Sequence, residues 1–315
     1  MRSEFQFIND IKKRFLLDRV GDDCAVVPKN RASDLLITAD LLVENVDFRL
    51  EWATPEQIGH KALAVSLSDI AATGGTPTFG LVSIGVPQEL WDSGFPDGFY
   101  QGWHELAARF DVEMIGGDTS KSPDRVVIDS IVLGHVPVGR AILRSGARPG
   151  DAIYVSGSLG GAAGGLTLLE NGKSLSDSTG SESYLIERQL RPFPQVKLGK
   201  RLMELEIATS MIDLSDSFSS DLAHICEASG VGAVIEDLPI DQNLSEHFGN
   251  GESIEFALHG GEDFELLFTV PNERAVELKE FPVTRVGIIS SAPGKVELIR
   301  GDAKTELEPK GYRHF

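Results

Sequence analysis

The sequence predicts an α/β or α+β fold in two domains, and three observations carry that reading. Strand-like and helix-like segments alternate along the chain, first in one block and then in a second. Between the blocks lies Gly139 to Asp151, GRAILRSGARPGD, which holds Arg, Gly and Pro and has no sustained periodicity. At 315 residues the chain is long enough for two ordinary domains, expected at 1–139 and 149–315. Plentiful Gly and few aromatics fit such a fold with its many tight turns.

Ser3 to Phe15 reads as a helix, with Phe5, Ile8, Ile11 and Phe15 on one stripe and Ser3 with Gln6 as a capping box. Short strands follow at Cys24–Val27 and Leu35–Ala39. Thr54-Pro55-Glu56-Gln57 supplies a cap, a Pro at the first position and a Gln to close the box. That helix runs through KALAVSLSDIAAT and stops at Gly74-Gly75. Next come a strand (Phe79–Gly85), a helix (Asp97–Phe110), a strand (Val112–Ile115) and a longer strand (Arg125–Val136). The second block opens with the strand Ala152–Ser156 and a Gly-rich run, GSLGGAAGG. The polar stretch from Asn171 to Ser183 is expected to be a mobile surface loop. Helices at Tyr184–Leu190 and Val196–Leu205 precede the strand Ser210–Leu214, the helix Ser217–Ser229, and strands at Phe264–Val270 and Thr284–Ile289.

Lys and Arg total 29 against 48 Asp and Glu, a formal charge of −19. Such a chain repels nucleic-acid phosphates and anionic lipid, so neither is expected as a general partner. The start, MRSEFQFINDIKKRF, has no apolar signal-peptide core, and no apolar run is long enough to span a bilayer. Two cysteines, Cys24 and Cys226, fit a reducing compartment, and no Cys/His group has zinc spacing. These features predict a cytoplasmic protein.

The informative pattern is the placement of Asp. Asp22 and Asp23 follow Gly21, Asp40 ends LLITAD, and Asp118 sits in GGDTS directly after VEMI. Asp213 and Asp216 lie in MIDLSDS where a strand meets a helix, and Asp69 lies in an otherwise apolar helix. Any one of them has a plain explanation as a turn or cap residue, Asp216 most of all. Five instances at element ends are harder to explain that way. If they converge, two like charges ~4 Å apart cost about 4 kcal/mol at an effective dielectric of 20, so the cluster needs cations. Carboxylates and hydroxyls without His or Cys are hard ligands, suited to Mg²⁺, Mn²⁺ or Ca²⁺. A hard-metal cluster in an acidic protein points to phosphate chemistry, because magnesium bridges two sets of negative oxygens.

The ordinary nucleotide motifs are absent. Gly172-Lys173-Ser174 imitates the end of a phosphate-binding loop, but Thr167 stands where its first Gly belongs. The glycines of GSLGGAAGG either let a backbone approach phosphates or pack a helix closely. Glu262, in HGGED ahead of FELLFTV, either belongs to a turn or reaches a ligand; Arg144 and Arg148 either contact phosphate or are solvated; Tyr312 either stacks on a ring or anchors the tail.

GDDCAVV, KALAVSLSDIAATGG, GGDTS, RSGARPGD, MIDLSDS, GGEDFELLFTVP and the terminal KGY-x-HF together resemble the thiamine-monophosphate kinase family, in the aminoimidazole ribonucleotide synthetase-like superfamily. The resemblance runs in order from the first helix to the last residues. It implies an N-terminal domain that pairs across a homodimer to form a β-barrel, and a C-terminal α/β domain. It implies ATP held through magnesium in a cleft, and direct transfer of its γ-phosphoryl group to thiamine monophosphate. Matched motif by motif, Asp23, Thr38, Asp40, Asp69, Asp118 and Asp213 resemble the magnesium set, with Asp216 a further ligand and the Ala39 backbone beside them. Asp40, Asp118 and Asp213 would assist the transfer. Gly117, Asp118, Arg144 and Ser215 resemble nucleotide contacts, and Glu262 and Tyr312 resemble thiamine contacts. No general base is implied, since the acceptor phosphate is already ionised.

Three positions depart from the family pattern. Asp47 stands where a substrate-facing His is usual, Ser217 where Gly follows the S-D pair, and Ala39 where Thr is common. A carboxylate in place of a donor at Asp47 weakens acceptor binding unless a metal or basic group compensates. Other superfamily activities fit less well: Cys24 lies in an expected strand, not in the exposed N-terminal position of a selenophosphate synthetase. A nucleotide-binding regulator without turnover has only Asp47 in its favour. No twelve-residue EF-hand spacing supports a calcium-binding structural protein.

Overall fold

The structure, a computed structural model, describes residues 4–17, 19–301 and 303–312. The first block comprises α1 (Glu4–Phe15), β1 (Ala25–Pro28), β2 (Ser33–Val43), α2 (Pro55–Ala72), β3 (Thr76–Val86), α3 (Gln88–Trp91), α4 (Phe95–Arg109), β4 (Glu113–Lys121) and β5 (Val127–Pro137). Its strands form one mixed sheet in the order β1-β2-β5-β3-β4. Along β2, β3 and β5, buried residues alternate with more exposed ones, so one face of this sheet lies against the core. Pairing of β2 with β5 runs from Ser33 opposite Pro137 to Val43 opposite Val127.

Helix α2 covers that face. Thr54 accepts from the Gln57 N–H while Gln57 Oε1 accepts the Thr54 N–H at 2.8 Å, the capping box expected from TPEQ. Almost every side chain of α2 is buried, because α4 and the later helix α7 (Val196–Leu205) close its other sides. Glycine permits that closeness: a Cβ on Gly102 of α4 would lie 1.8 Å from Glu56 O, and one on Gly199 of α7 2.0 Å from Ala71 O.

The second block begins with β6 (Ala152–Ser156), α5 (Gly161–Glu170), α6 (Ser181–Leu190) and α7, and continues with β7 (Ser210–Asp213), α8 (Phe218–Ser229) and β8 (Gly232–Ile235). It ends with α9 (Asn250–His259), β9 (Leu266–Val270), β10 (Val283–Ser290), β11 (Val296–Arg300) and β12 (Ala303–Glu306). The sheet order is β12-β11-β8-β10-β6-β9-β7, with β11 and β8 parallel and the other pairs antiparallel. Every residue of β6, β7 and β9 is buried. Their side chains divide by the pleat. Ala152, Tyr154, Leu266 and Phe268 join the core shared with the first sheet, whereas Ile153, Val155 and Leu267 join a second core with Phe218, Leu222 and Leu258.

Several expectations are corrected. The strand after Val112 does not stop at Ile115 but runs through GGDTS to Lys121, because β3 offers it a parallel partner along its length. Gly117 makes that possible, at φ +154° and with Val82 O 1.9 Å from where a Cβ would sit. The stretch from Asn171 is not featureless: it holds a 3₁₀ turn at Leu175–Asp177, and buried Ser181 begins α6. The cap of α8 is Ser217, whose side chain accepts from the Ser220 N–H, and not Asp216. The expected Ser3 cap of α1 lies outside the described residues. Strands β8, β11 and β12 and helix α9 have no counterpart in the sequence reading.

Candidate functional site

The carboxylates gather where α2 of the first block meets β7 of the second. Thr38 and Asp40 alternate onto the side of β2 that faces α2, and α2 answers with Ser66 and Asp69, three residues apart. The Thr38 hydroxyl donates to Asp69, and Ser66 Oγ donates to Asp40 Oδ2 at 2.7 Å. Asp23 comes from the turn before β1 and Asp213 from the last residue of β7. Carboxylate oxygens of Asp23, Asp69 and Asp213 all lie within 4.8 Å of one another.

One guanidinium reaches this group. Arg144 lies 3.1 Å through Nε and 2.5 Å through Nη2 from Asp23 Oδ1, and its backbone N–H donates to Asp22 Oδ1 at 2.8 Å. Burial, and then the charges of Asp129 and Asp47, push Asp40 up to about 6 despite the Ser66 hydroxyl. Burial and then Asp23 push Asp213 up to about 7, with Ser68 and Arg144 opposing. Asp69 is held well above the usual carboxylate range, first by burial and then by the charges of Asp40, Asp213 and Asp23.

Donor chemistry decides what such a group can hold. All of its close donors are carboxylate or hydroxyl oxygens, the set that hard divalent cations take. Cys24 is nearby, but burial first and then Asp69 hold its thiol protonated well above the usual range. Magnesium fits these residues.

Beside Asp40 the cleft opens into a cavity of about 530 Å³ lined by Asp47, Ser215, Asp216, Glu262 and Tyr312. A second cavity of about 190 Å³ shares Asp47, Glu262 and Tyr312 and adds Trp52 and Lys61. The two expected thiamine contacts and the departing Asp47 therefore face one continuous space. The GGEDF turn is built to place Glu262 there. Glu262 and Phe264 adopt φ +65° and +50°, and their N–H groups donate to Ser215 O and Leu214 O at 2.8 and 2.9 Å. Asp263 accepts from the Gly160 and Ala162 N–H groups at 2.6 and 3.1 Å, and Arg188 binds Asp263 and Glu265 at 3.2 and 3.0 Å. Within HGGEDFE, Asp263 and Glu265 are structural and Glu262 faces the cavity.

Glu262 is held from two sides. Lys61 Nζ lies 2.7 Å from Glu262 Oε1 and 3.1 Å from the Asp47 carbonyl, and Gln189 Nε2 donates to Glu262 Oε2. The Asp47 carboxylate itself accepts the Val43 N–H at 2.7 Å. Lys61 is thus the basic group next to the departing residue.

The structure brings Asp23, Thr38, Asp40, Asp69, Asp213 and Arg144 together, and sets Asp47, Ser215, Asp216, Glu262 and Tyr312 around the adjoining space. It does not bring Gly117 and Asp118 there. Both are exposed on β4, three strand spacings and so about 14 Å along the sheet from β2. Ala39 is exposed on the opposite side of β2 from its neighbours. The glycines of GSLGGAAGG pack a helix: a Cβ on Gly165 would lie 2.0 Å from Leu185 O of α6. Sequence reasoning missed Lys61, Ser66, Gln189 and Arg188. A lysine inside the apolar run KALAVSL was a usable signal for Lys61; Gln189 carried none.

Residues 21–136 match the family described as AIR synthase related protein, N-terminal domain, and residues 148–296 its C-terminal domain. The thiamine-monophosphate kinase of Bacillus subtilis (strain 168) is 38% identical, covering 99% of both chains. That of Escherichia coli (strain K12) is 39% identical over 94% of this chain and 91% of its own. The solved structure of AaThiL complexed with AMPPCP and TMP superposes with a TM-score of 0.90 at 34% identity, covering 99% of this chain and 97% of that one.

Proposed function

Since the chain belongs to the thiamine-monophosphate kinase family of AIR synthase related proteins, we infer that it phosphorylates thiamine monophosphate with ATP to give thiamine diphosphate. An oxygen of the acceptor phosphate bonds to the γ-phosphorus of ATP as the bond to the β–γ bridging oxygen breaks, and ADP leaves. The observation that carries the reading is the position of Asp40, which belongs to the carboxylate group and also lines the cavity of Asp47, Glu262 and Tyr312.

Asp23, Asp40, Asp69 and Asp213, with the Thr38 hydroxyl, would hold magnesium, and Asp216, on the cavity wall, would be a further ligand. Magnesium there would supply the positive charge that lets nucleotide oxygens approach carboxylates. Arg144 orients Asp23 and contacts the nucleotide, with Ser215 across the cleft. Ser66 fixes the Asp40 rotamer. No side chain needs to remove a proton from an ionised phosphate, so positioning and charge balance supply most of the rate.

Gly117 and Asp118 fit this scheme only if a second copy brings them. β4 is a nine-residue edge strand exposed almost throughout, the kind of surface that pairs with another chain. We therefore keep the homodimer and its shared barrel as part of the proposal, together with domains at 1–139 and 149–315. A cytoplasmic location is consistent with two buried free cysteines. Among the described residues no helix is long and apolar enough to cross a membrane.

The test is thiamine diphosphate formation from purified protein, ATP, magnesium and thiamine monophosphate. Product that disappears on chelation is expected. ATP binding without product would overturn the reading.

A further inference from the structure

The carboxylate group has a basic counterpart at the far end of the first sheet. Where β2 and β3 begin and β5 ends, a cavity of about 410 Å³ is lined by Ser33, Thr76, His135, Arg140, Lys200 and Glu204. Ser33 is seven residues from Asp40 along β2, or about 23 Å, and this cavity shares no lining residue with the acceptor cavity. Thr76 and His135 stand directly opposite each other in the pairing of β3 with β5, so their side chains leave the sheet on one face. Lys200 comes to the same space from α7 of the second block.

These donors have nothing to donate to. Among the described residues, the side chains of Lys29, Thr76, His135 and Lys200 have no hydrogen-bond or ion-pair partner. The other charges at the cavity are already committed, Arg140 to Glu206 and Glu204 to Arg201 at 3.2 Å. Burial first, and then the charges of Lys29 and Lys200, make His135 harder to protonate, so both ammonium groups act on its ring. Cations held together repel as carboxylates do, and an anion between them relieves the repulsion. In a chain of net charge −19, no surplus of positive charge explains their gathering.

We propose that this cavity binds a phosphate group, held by Lys200, His135 and the Thr76 hydroxyl with Lys29 adding charge, and that the bound anion ties α7 to the end of the first sheet. The proposal does not depend on the kinase reading. A phosphate group suits the site because its several oxygens accept donors from β3, β5 and α7 at once. The cavity has room for the free ion and for a phosphorylated metabolite.

The experiment titrates inorganic phosphate, and separately ADP, into the protein in chelator, where the carboxylates repel both, with chloride at equal ionic strength as the control. Calorimetry and melting temperature are read on wild type, Lys200→Gln, His135→Gln and Arg144→Met. Wild type should bind saturably and melt higher, and the Lys200 and His135 variants should bind about tenfold or more weakly, with melts in chloride unchanged. Arg144→Met should bind as wild type does. Phosphate bound more tightly than ADP assigns the free ion, and ADP bound more tightly, with the same variants impaired, assigns a phosphorylated metabolite. Binding that survives both substitutions, that chloride matches or that only Arg144→Met loses overturns the proposal. So does a wild type with no saturable binding at millimolar phosphate.

Discussion

Arg144 Nη2 stands 2.5 Å from Asp23 Oδ1, at the border between the two blocks, with 22% of the arginine side chain and 1% of the aspartate side chain exposed. Breaking a nearly buried pair leaves one charge uncompensated, at a cost of about 3–5 kcal/mol. Arg144→Met should therefore lose stability of that order in chelator at pH 8, measured by urea denaturation. Magnesium should restore part of it, since a cation replaces the guanidinium.

Asp213→Asn removes one of the crowded charges and one proposed ligand together. The variant should melt higher than wild type in chelator, and its kcat should fall by about 100-fold or more in magnesium. A lower melting temperature in chelator would mean that the cluster is not repulsive.

The raised carboxylates set a pH dependence. Asp40 and Asp213 titrate near 3.8 in the unfolded chain and at about 6 and about 7 in the folded one. The folded protein binds these protons more tightly, so their stabilising contribution is complete below about 3.8 and is lost as pH rises through 6 and 7. Urea midpoints in chelator should fall between pH 5 and pH 8, and less steeply in Asp40→Asn. Magnesium affinity by calorimetry should tighten over the same window, with proton release.

Asp47→His should lower the acceptor KM, since it returns a donor to the cavity. It also removes the carboxylate that accepts the Val43 N–H, so the melting temperature should fall, by about 1 kcal/mol in stability. An unchanged acceptor KM would place Asp47 outside the binding contacts.

Gly165→Ala tests whether the Gly-rich run packs or binds phosphate. Its Cβ would press on Leu185 O, so the variant should lose stability by about 3 kcal/mol or more, with activity lost only to the extent that protein unfolds. A stable variant with raised KM for ATP would reverse that assignment.

What the sequence made legible was local. TPEQ determined the start of α2, and Val196–Leu205 appears in the structure with the bounds its pattern predicts. Asp23, Asp40 and Asp213 could be chosen because carboxylates at element ends are unusual in number, and Asp69 because it interrupts an apolar helix. Contacts that depend on remote pairing were hidden. β4 runs past Ile115 only because β3 lies beside it, and Gln189 matters only because the GGEDF turn, more than seventy positions on, points Glu262 at it. The separation of Asp118 from the other carboxylates follows from strand order, which no local pattern encodes.

The position of β6 bears on how the chain is made. The first sheet is complete once Pro137 exists, whereas β6 is interior to the second and pairs with β9 and β10. Ser156 and Leu266, which bond across that pair, are 110 positions apart. At ribosomal speeds of about 5–20 residues per second, an apolar strand waits roughly 5–20 s for its neighbours. The nascent chain thus passes through a period with one half folded and the other half sticky, and its yield should depend on chaperones more than the finished protein's stability would suggest.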